Sequence, residues 1–180
     1  KPLFGTNPIS FAWPRPGKTP VVYDMATAFM AMGEVQVAAR EGHSVPLGTG
    51  LNKEGKDTTK PSEIVDGGVL LPFGGYKGSA IAMMVELLAG ALIGEWFSFE
   101  AKQYDNNDGG PPKGGEFILA MSPDKIAGPN WDKRADEFFN KMQSMDGVRL
   151  PGERRHKNRL DLGPRQINAE LIKKIAALSK

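Results

Sequence analysis

Leu70-Leu71-Pro72-Phe73-Gly74-Gly75-Tyr76-Lys77-Gly78-Ser79-Ala80-Ile81-Ala82-Met83-Met84-Val85-Glu86 is a glycine turn with one lysine that runs straight into an almost wholly apolar helix. Glycines let backbone donors come close to a ligand, and the start of a helix favours negative charge, so the pattern suits a bound anion. Its spacing fits neither a Walker loop nor the Gly-x-Gly-x-x-Gly of a Rossmann turn. Lys77 is then either an ammonium set beside a phosphate or carboxylate, or a solvated turn residue.

Upstream of this stretch, Ile9 to Trp13 and Val21 to Tyr23 are β-favouring runs around the turn-forming Pro14-Arg15-Pro16-Gly17-Lys18. Asp24 is expected to end the second run. Thr27 is a possible N-cap for a helix through Ala39, with Phe29, Met32, Val35 and Ala39 near helical spacing and Gly42 as its stop. Residues 42–61 read as a long surface loop.

Downstream, the apolar run Ala80 to Ile93 is shorter than a bilayer span and carries Glu86, so it is expected to be a core helix ending around Gly90 to Gly94. Asp105 to Gly115 is a polar, glycine- and proline-rich loop, and Glu116 to Met121 reads as a buried strand. A helix over Asp132 to Met145 sets Trp131, Ala135, Phe138, Phe139 and Met142 on one apolar face, read as packing. Asn168 is expected to cap a last helix bearing Leu171, Ile172, Ile175, Ala176 and Leu178.

With 180 residues and 40% hydrophobic content the chain can bury a sizeable core and reads as one domain of mixed α/β type, with or without appendages. Its 23 basic and 21 acidic side chains leave a net charge of +2, far from the basicity of a dedicated nucleic-acid binder. The absence of cysteine excludes disulfides, thiolate zinc sites and cysteine nucleophiles, and is compatible with a reducing cytoplasm. No signal peptide is visible. The first residue is Lys1 and Pro2-Leu3-Phe4 is already apolar, which suggests a portion of something longer.

Three further clusters carry polar chemistry. Gly5-Thr6-Asn7-Pro8 presents a hydroxyl and an amide either to a ligand or within an Asx-type turn. Asp24-Met25-Ala26-Thr27 lies where a strand gives way to a helix, so Asp24 either accepts ribose hydroxyls or caps the helix. The segment from Arg149 to Arg159 gathers the basic residues and could meet a cofactor's phosphates, a nucleic-acid backbone or only solvent; the near-neutral chain favours the cofactor. His43 and His156 sit in loop-like segments without metal-binding spacing, and there is no nucleophile elbow. Glu34, one turn into the first helix, is either solvated or the partner of an imidazole.

In order along the chain, Phe4-Gly5-Thr6-Asn7-Pro8, Val22-Tyr23-Asp24-Met25-Ala26-Thr27, Leu70 to Ser79 and Arg149-Leu150-Pro151-Gly152-Glu153-Arg154-Arg155 resemble the malate/L-lactate dehydrogenase family of the non-Rossmann type. The resemblance covers essentially the whole chain but only about the second half of a family member, so residues 1–180 are expected to be its C-terminal cofactor-binding portion. Gly33 to Gly42 together with Gly74 to Gly78 is most similar to the Δ1-piperideine-2-carboxylate/Δ1-pyrroline-2-carboxylate reductases, which reduce a cyclic imino acid. Relatives reduce 2-oxo acids or oxidise malate, lactate or ureidoglycolate. Tyr76 stands where that group has histidine, and Glu34 where it has aspartate.

The resemblance implies a mixed β-sheet flanked by helices, an NADP or NAD cofactor, a small-molecule carboxylate substrate and a cytoplasmic homodimer, with neither nucleic acid nor membrane as partner. It implies that Thr6, Met32 and Gly33 contact substrate, and that Val22, Tyr23, Asp24, Met25, Ala26, Tyr76, Lys77, Gly152, Glu153, Arg154 and Arg155 contact cofactor. It also makes Glu34 the carboxylate that orients a catalytic histidine. The family's N-terminal Ser-His-Gly segment, whose histidine gives the proton, and the arginine after it that holds the substrate carboxylate have no counterpart here. The proton donor is therefore expected from a missing N-terminal segment; without one, the chain would be a non-catalytic nucleotide-binding fragment.

Overall fold

The computed structural model describes residues 2–104 and 113–178. Its contacts separate into two compact units: Lys1–Ala12 with Val22–Trp131, and Trp13–Val21 with Asp132–Lys180. Strands β1 (Ile9–Trp13) and β2 (Val21–Met25) pair as a two-stranded ribbon. The second strand passes Asp24 because Ser10 and Phe11 engage Tyr23, through a Ser10 Oγ bond to its carbonyl and a ring stack at 5.3 Å.

In the first unit, helix α1 covers Met32–Glu41 and stops at Gly42, whose φ of 71° is the left-handed ending expected of it. It does not begin at Thr27. That residue is buried and hydrogen-bonded into extended structure, so the chain turns helical only after Ala31, whose N–H Glu34 Oε2 accepts at 3.4 Å. The supposed loop of residues 42–61 holds a hairpin of β3 (Gly50–Leu51) and β4 (Asp57–Thr58). Helix α2 (Pro61–Val65) follows, and β5 (Val69–Leu70) adds antiparallel to β3. Val35, Val45 and Ile64 form the core beneath, backed by Met30, Ala38 and Leu70.

Helix α3 (Tyr76–Ala89) follows the glycine turn, and a short 3-10 turn over Ala91–Ile93 closes on Gly94. It is not the core helix expected from its composition. Only Gly78 and Ala82 are buried, while Met83, Met84 and Leu87 are 52%, 40% and 51% exposed. Residues Tyr76–Ile93 are long and apolar enough to cross a membrane by length and composition. The continuous α-helix nevertheless ends at Ala89, about 21 Å from its start, short of a hydrocarbon core about 30 Å thick. Helices α4 (Ser98–Ala101) and α5 (Pro123–Ala127) complete this unit. Most of the loop expected over Asp105 to Gly115 lies outside the described residues. Glu116 to Met121 is not a strand: no neighbour pairs with it among the described residues, and Ile118, Leu119 and Met121 are exposed.

In the second unit, helix α6 (Trp131–Gln143) packs Phe139, Ala135 and Met142 with Val21, Leu150 and Trp13. Phe138, expected on the same face, is exposed. Arg15 bonds Asp136 at 2.9 Å and lies over the Phe139 ring, and Lys18 reaches the other Asp136 oxygen. Helices α7 (Glu153–Leu160) and α8 (Ala169–Leu178) follow; as expected, Asn168 Oδ1 accepts the N–H groups of Glu170 and Leu171. In the three-stranded sheet β3 pairs antiparallel with both β4 and β5.

Candidate cofactor and substrate site

Three of the singled-out motifs meet at Thr27. Its N–H and its hydroxyl both donate to the Thr6 carbonyl, at 2.8 and 3.1 Å, and its own carbonyl accepts the Phe73 N–H at 2.9 Å. Ala28 bridges Pro72, and Phe29 N–H bonds the Leu71 carbonyl. Thr27 is 1% exposed, so these bonds replace water and leave its backbone no freedom to cap a helix. Gly5 to Pro8, the end of β2 and the glycine turn are thereby fixed to one another by the backbone.

The glycine turn is open to solvent. Gly74 and Gly75 have φ of 58° and 60°, a region that other residues rarely enter, and they bring the chain abruptly to the start of α3. A side-chain carbon at Gly78 would fall on the Phe73 carbonyl oxygen, so only glycine lets the first helical turn close onto the turn. Tyr76 is 81% exposed, Lys77 is exposed too, and Lys77 forms no ion pair among the described residues. The Lys77 and Ser79 N–H groups donate to the Gly74 and Gly75 carbonyls, so what the turn offers a phosphate or carboxylate is the Lys77 ammonium and the close approach that absent Cβ atoms allow. On β2 Val22 is half-buried and Tyr23, Asp24 and Met25 are exposed, and Ala26 just after the strand is half-buried.

Thr6 is half-buried, and its hydroxyl makes no hydrogen bond among the described residues. It lines a cavity of about 250 Å³ with Asn7, Glu86, Trp96 and Ser98. Met32 is half-buried at the start of α1, and Gly33 and Glu34 beside it are exposed. Glu34 meets the Ala31 N–H and no histidine: His43 lies 3.4 Å from Glu41, and His156 Nε2 bonds the Pro20 carbonyl.

The fourth motif belongs to the second unit. Gly152, with φ of 86°, precedes α7, and the Glu153 carboxylate turns back to accept the Leu150 N–H at 3.1 Å, tying the start of the helix to the segment before it. Arg154, Arg155 and Arg159 are exposed, without ion pairs among the described residues, around an open depression shared with Asn158 and Arg165. Arg165 is taken up by Asp161; its guanidinium, with the Gly163 N–H, holds the Asp161 carboxyl below the ordinary aspartate value.

Sequence reasoning missed the set around Asn7. Its amide does not form an Asx turn; it bonds Ala82, Glu86 and Ser98, all remote in sequence. The available signal was Glu86, a single carboxylate inside an apolar helix.

A model of the malate/L-lactate dehydrogenase family matches residues 1–175. Over 159 residues, 88% of this chain, it is 47% identical to the Δ1-pyrroline-2-carboxylate/Δ1-piperideine-2-carboxylate reductase of Pseudomonas syringae pv. tomato, of which that match covers 46%. A crystal structure of Δ1-piperideine-2-carboxylate reductase from the same organism matches with a TM-score of 0.83 at 47% identity, over 88% of this chain and 48% of that one. The (2R)-3-sulfolactate dehydrogenase (NADP(+)) of Chromohalobacter salexigens is 39% identical over 91% of this chain and 48% of its own length. The chain thus spans about half the length of the relatives it matches.

Proposed function

Because the chain belongs to the malate/L-lactate dehydrogenase family, we propose that it forms the cofactor-binding side of an NAD(P)H-dependent oxidoreductase reducing a C=N or C=O next to a carboxylate. The observation that supports this best is the junction at Thr27, which joins the hydroxyl-bearing Thr6 loop, the end of β2 and the glycine turn. The substrate we favour is a cyclic imino acid such as Δ1-pyrroline-2-carboxylate or Δ1-piperideine-2-carboxylate, the compounds in the names of relatives 47% identical to this chain. A 2-oxo acid is the alternative, and oxidation of malate, lactate or ureidoglycolate would run the same chemistry in reverse.

The open glycine turn with its unpaired lysine fits a nucleotide phosphate. The Lys77 ammonium would hold it, with Tyr76 beside it and Val22 to Ala26 along the rest of the cofactor. When bound, the nicotinamide supplies the hydride. Thr6 would orient the substrate through its free hydroxyl, between Met32 and Gly33 and the cofactor. Glu34 would hold an imidazole in one tautomer and raise its affinity for a proton. Because His43 and His156 have other partners, we assign proton donation to a histidine outside these 180 residues, on a segment that would complete the site in a cytoplasmic homodimer. Arg154 and Arg155 favour NADP, since an unpaired guanidinium suits a 2′-phosphate.

Titration of the chain with NADPH and NADH tests this, with Lys77→Ala as control. Binding that the substitution weakens, with little or no hydride transfer to Δ1-pyrroline-2-carboxylate or pyruvate, is the expected result. Turnover by the chain alone would overturn the assignment of the proton donor, and failure to bind either nucleotide would overturn the cofactor site.

A further inference from the structure

Asn7 adopts a φ of 39°, in the left-handed region, although it is not glycine, and its side chain is buried. Such a conformation persists only where the surroundings enforce it. Asn7 Nδ2 donates to the Ala82 carbonyl at 3.0 Å and to Glu86 Oε1 at 2.7 Å, while Asn7 Oδ1 accepts from Ser98 Oγ at 3.0 Å. Ser98 N–H closes the ring by donating to Glu86 Oε2 at 2.9 Å. The amide uses both donors and its acceptor, and each carboxylate oxygen has a donor.

This ring brackets Thr6. Thr27 fixes the Thr6 carbonyl from one side, and the next residue is locked to α3 and to the start of α4 from the other. Of the polar groups on Thr6, the hydroxyl is left for a ligand, beside the cavity that Asn7, Glu86 and Ser98 also line. A carboxylate costs desolvation within an apolar helix, and here the Asn7 amide and the Ser98 N–H offset it. We propose that Asn7, Glu86 and Ser98 are positioning residues, a closed hydrogen-bonded clamp that aims the Thr6 hydroxyl at the substrate. The functional half of this rests on Thr6 being a substrate contact.

The experiment uses the chain with methyl-labelled threonine. In the ligand-free protein, three-bond couplings report whether the Thr6 side chain keeps one rotamer; in the NADP-loaded protein, L-proline, the reduced form of Δ1-pyrroline-2-carboxylate, is titrated against the Thr6 methyl signal. Asn7→Gly tolerates the backbone angle but lacks the clamp, and Glu86→Leu removes the carboxylate in a way that suits the helix. Both should average the coupling and weaken proline by about tenfold, as expected for a displaced contact group, with NADPH affinity changed by less than about twofold. Glu86→Leu leaves the Asn7 amide and the Ser98 N–H without their acceptor and should lower the melting temperature as well, so the readout that a merely structural role would not move is the loss of proline affinity with NADPH affinity kept in the same folded sample. A single-rotamer coupling and parental proline affinity in Asn7→Gly would overturn the clamp. A parental Thr6 methyl signal that ignores proline would instead overturn Thr6 as a substrate contact, and the coupling would still decide the clamp.

Discussion

Thr27 gives two hydrogen bonds to the carbonyl of Thr6, one from its N–H at 2.8 Å and one from its hydroxyl at 3.1 Å. The backbone bond survives every substitution but proline; the hydroxyl bond needs serine or threonine. Thr27→Val keeps the shape and removes the donor at a site 1% exposed. It should lower unfolding stability by about 1 kcal/mol, the net worth of a buried neutral hydrogen bond. Thr27→Ser keeps the hydroxyl and should restore the bond, though losing a buried methyl. Urea denaturation of the pair separates these terms, and equal loss in both variants would show that packing, not the bond, makes the junction.

The glycine turn separates conformation from charge. Gly78→Ala improves intrinsic helix propensity but places its methyl on the Phe73 carbonyl, so it should destabilise the chain by about 1–3 kcal/mol, as overpacking does. Lys77→Ala removes an exposed side chain without an ion pair and should leave the melting temperature within about a degree or two. The affinity for NADPH should nevertheless fall about tenfold, the scale of a charge-assisted contact of about 1–2 kcal/mol. Calorimetric titration and thermal melts on the same samples distinguish the two effects.

Local signals were legible where a local cause decides the structure. Gly42 ends α1, Asn168 caps α8, and the Pro14 to Lys18 turn joins β1 to β2, because each needs only its own backbone and its near neighbours. Thr27 misled because its capping chemistry is real but is used on Thr6, a residue remote from the helix start. Composition also misled for α3 and for Glu116 to Met121. Apolarity states what a segment tolerates against it, and their exposed faces show that nothing among the described residues packs there. The motifs of the site could be recognised one by one; their junction at Thr27 and the ring around Asn7 depend on pairings that no spacing encodes.

The arginines of α7 bear on nucleotide choice. Arg154 and Arg155 are exposed and unpaired among the described residues, so neither is needed to neutralise a carboxylate of the fold. If they meet a 2′-phosphate, Arg154→Ala and Arg155→Ala should each weaken NADPH by about tenfold and leave NADH nearly unchanged. The NADPH constants should also fall with added salt more steeply than those for NADH. Equal losses for both nucleotides would place the arginines on a phosphate that the two share.

Asp136 sets the direction in which acid acts on the second unit. Hydrogen bonds from Lys18 and then Arg15 hold its carboxyl below the ordinary value of 3.8 in the folded chain. A depressed carboxylate stabilises the fold at pH values above its unfolded pKa, and that contribution disappears as pH falls through the folded value. Unfolding midpoints should therefore decline below about pH 4, and Asp136→Asn should flatten part of the decline while lowering stability at neutral pH. The decline should not vanish, because Glu63, bonded to Thr58 and Lys60, and Asp161, bonded to Arg165, are shifted in the same direction. Carboxyl carbon NMR against pH gives the Asp136 titration directly; a midpoint at or above 3.8 would mean that the Arg15 and Lys18 contacts are not kept in solution.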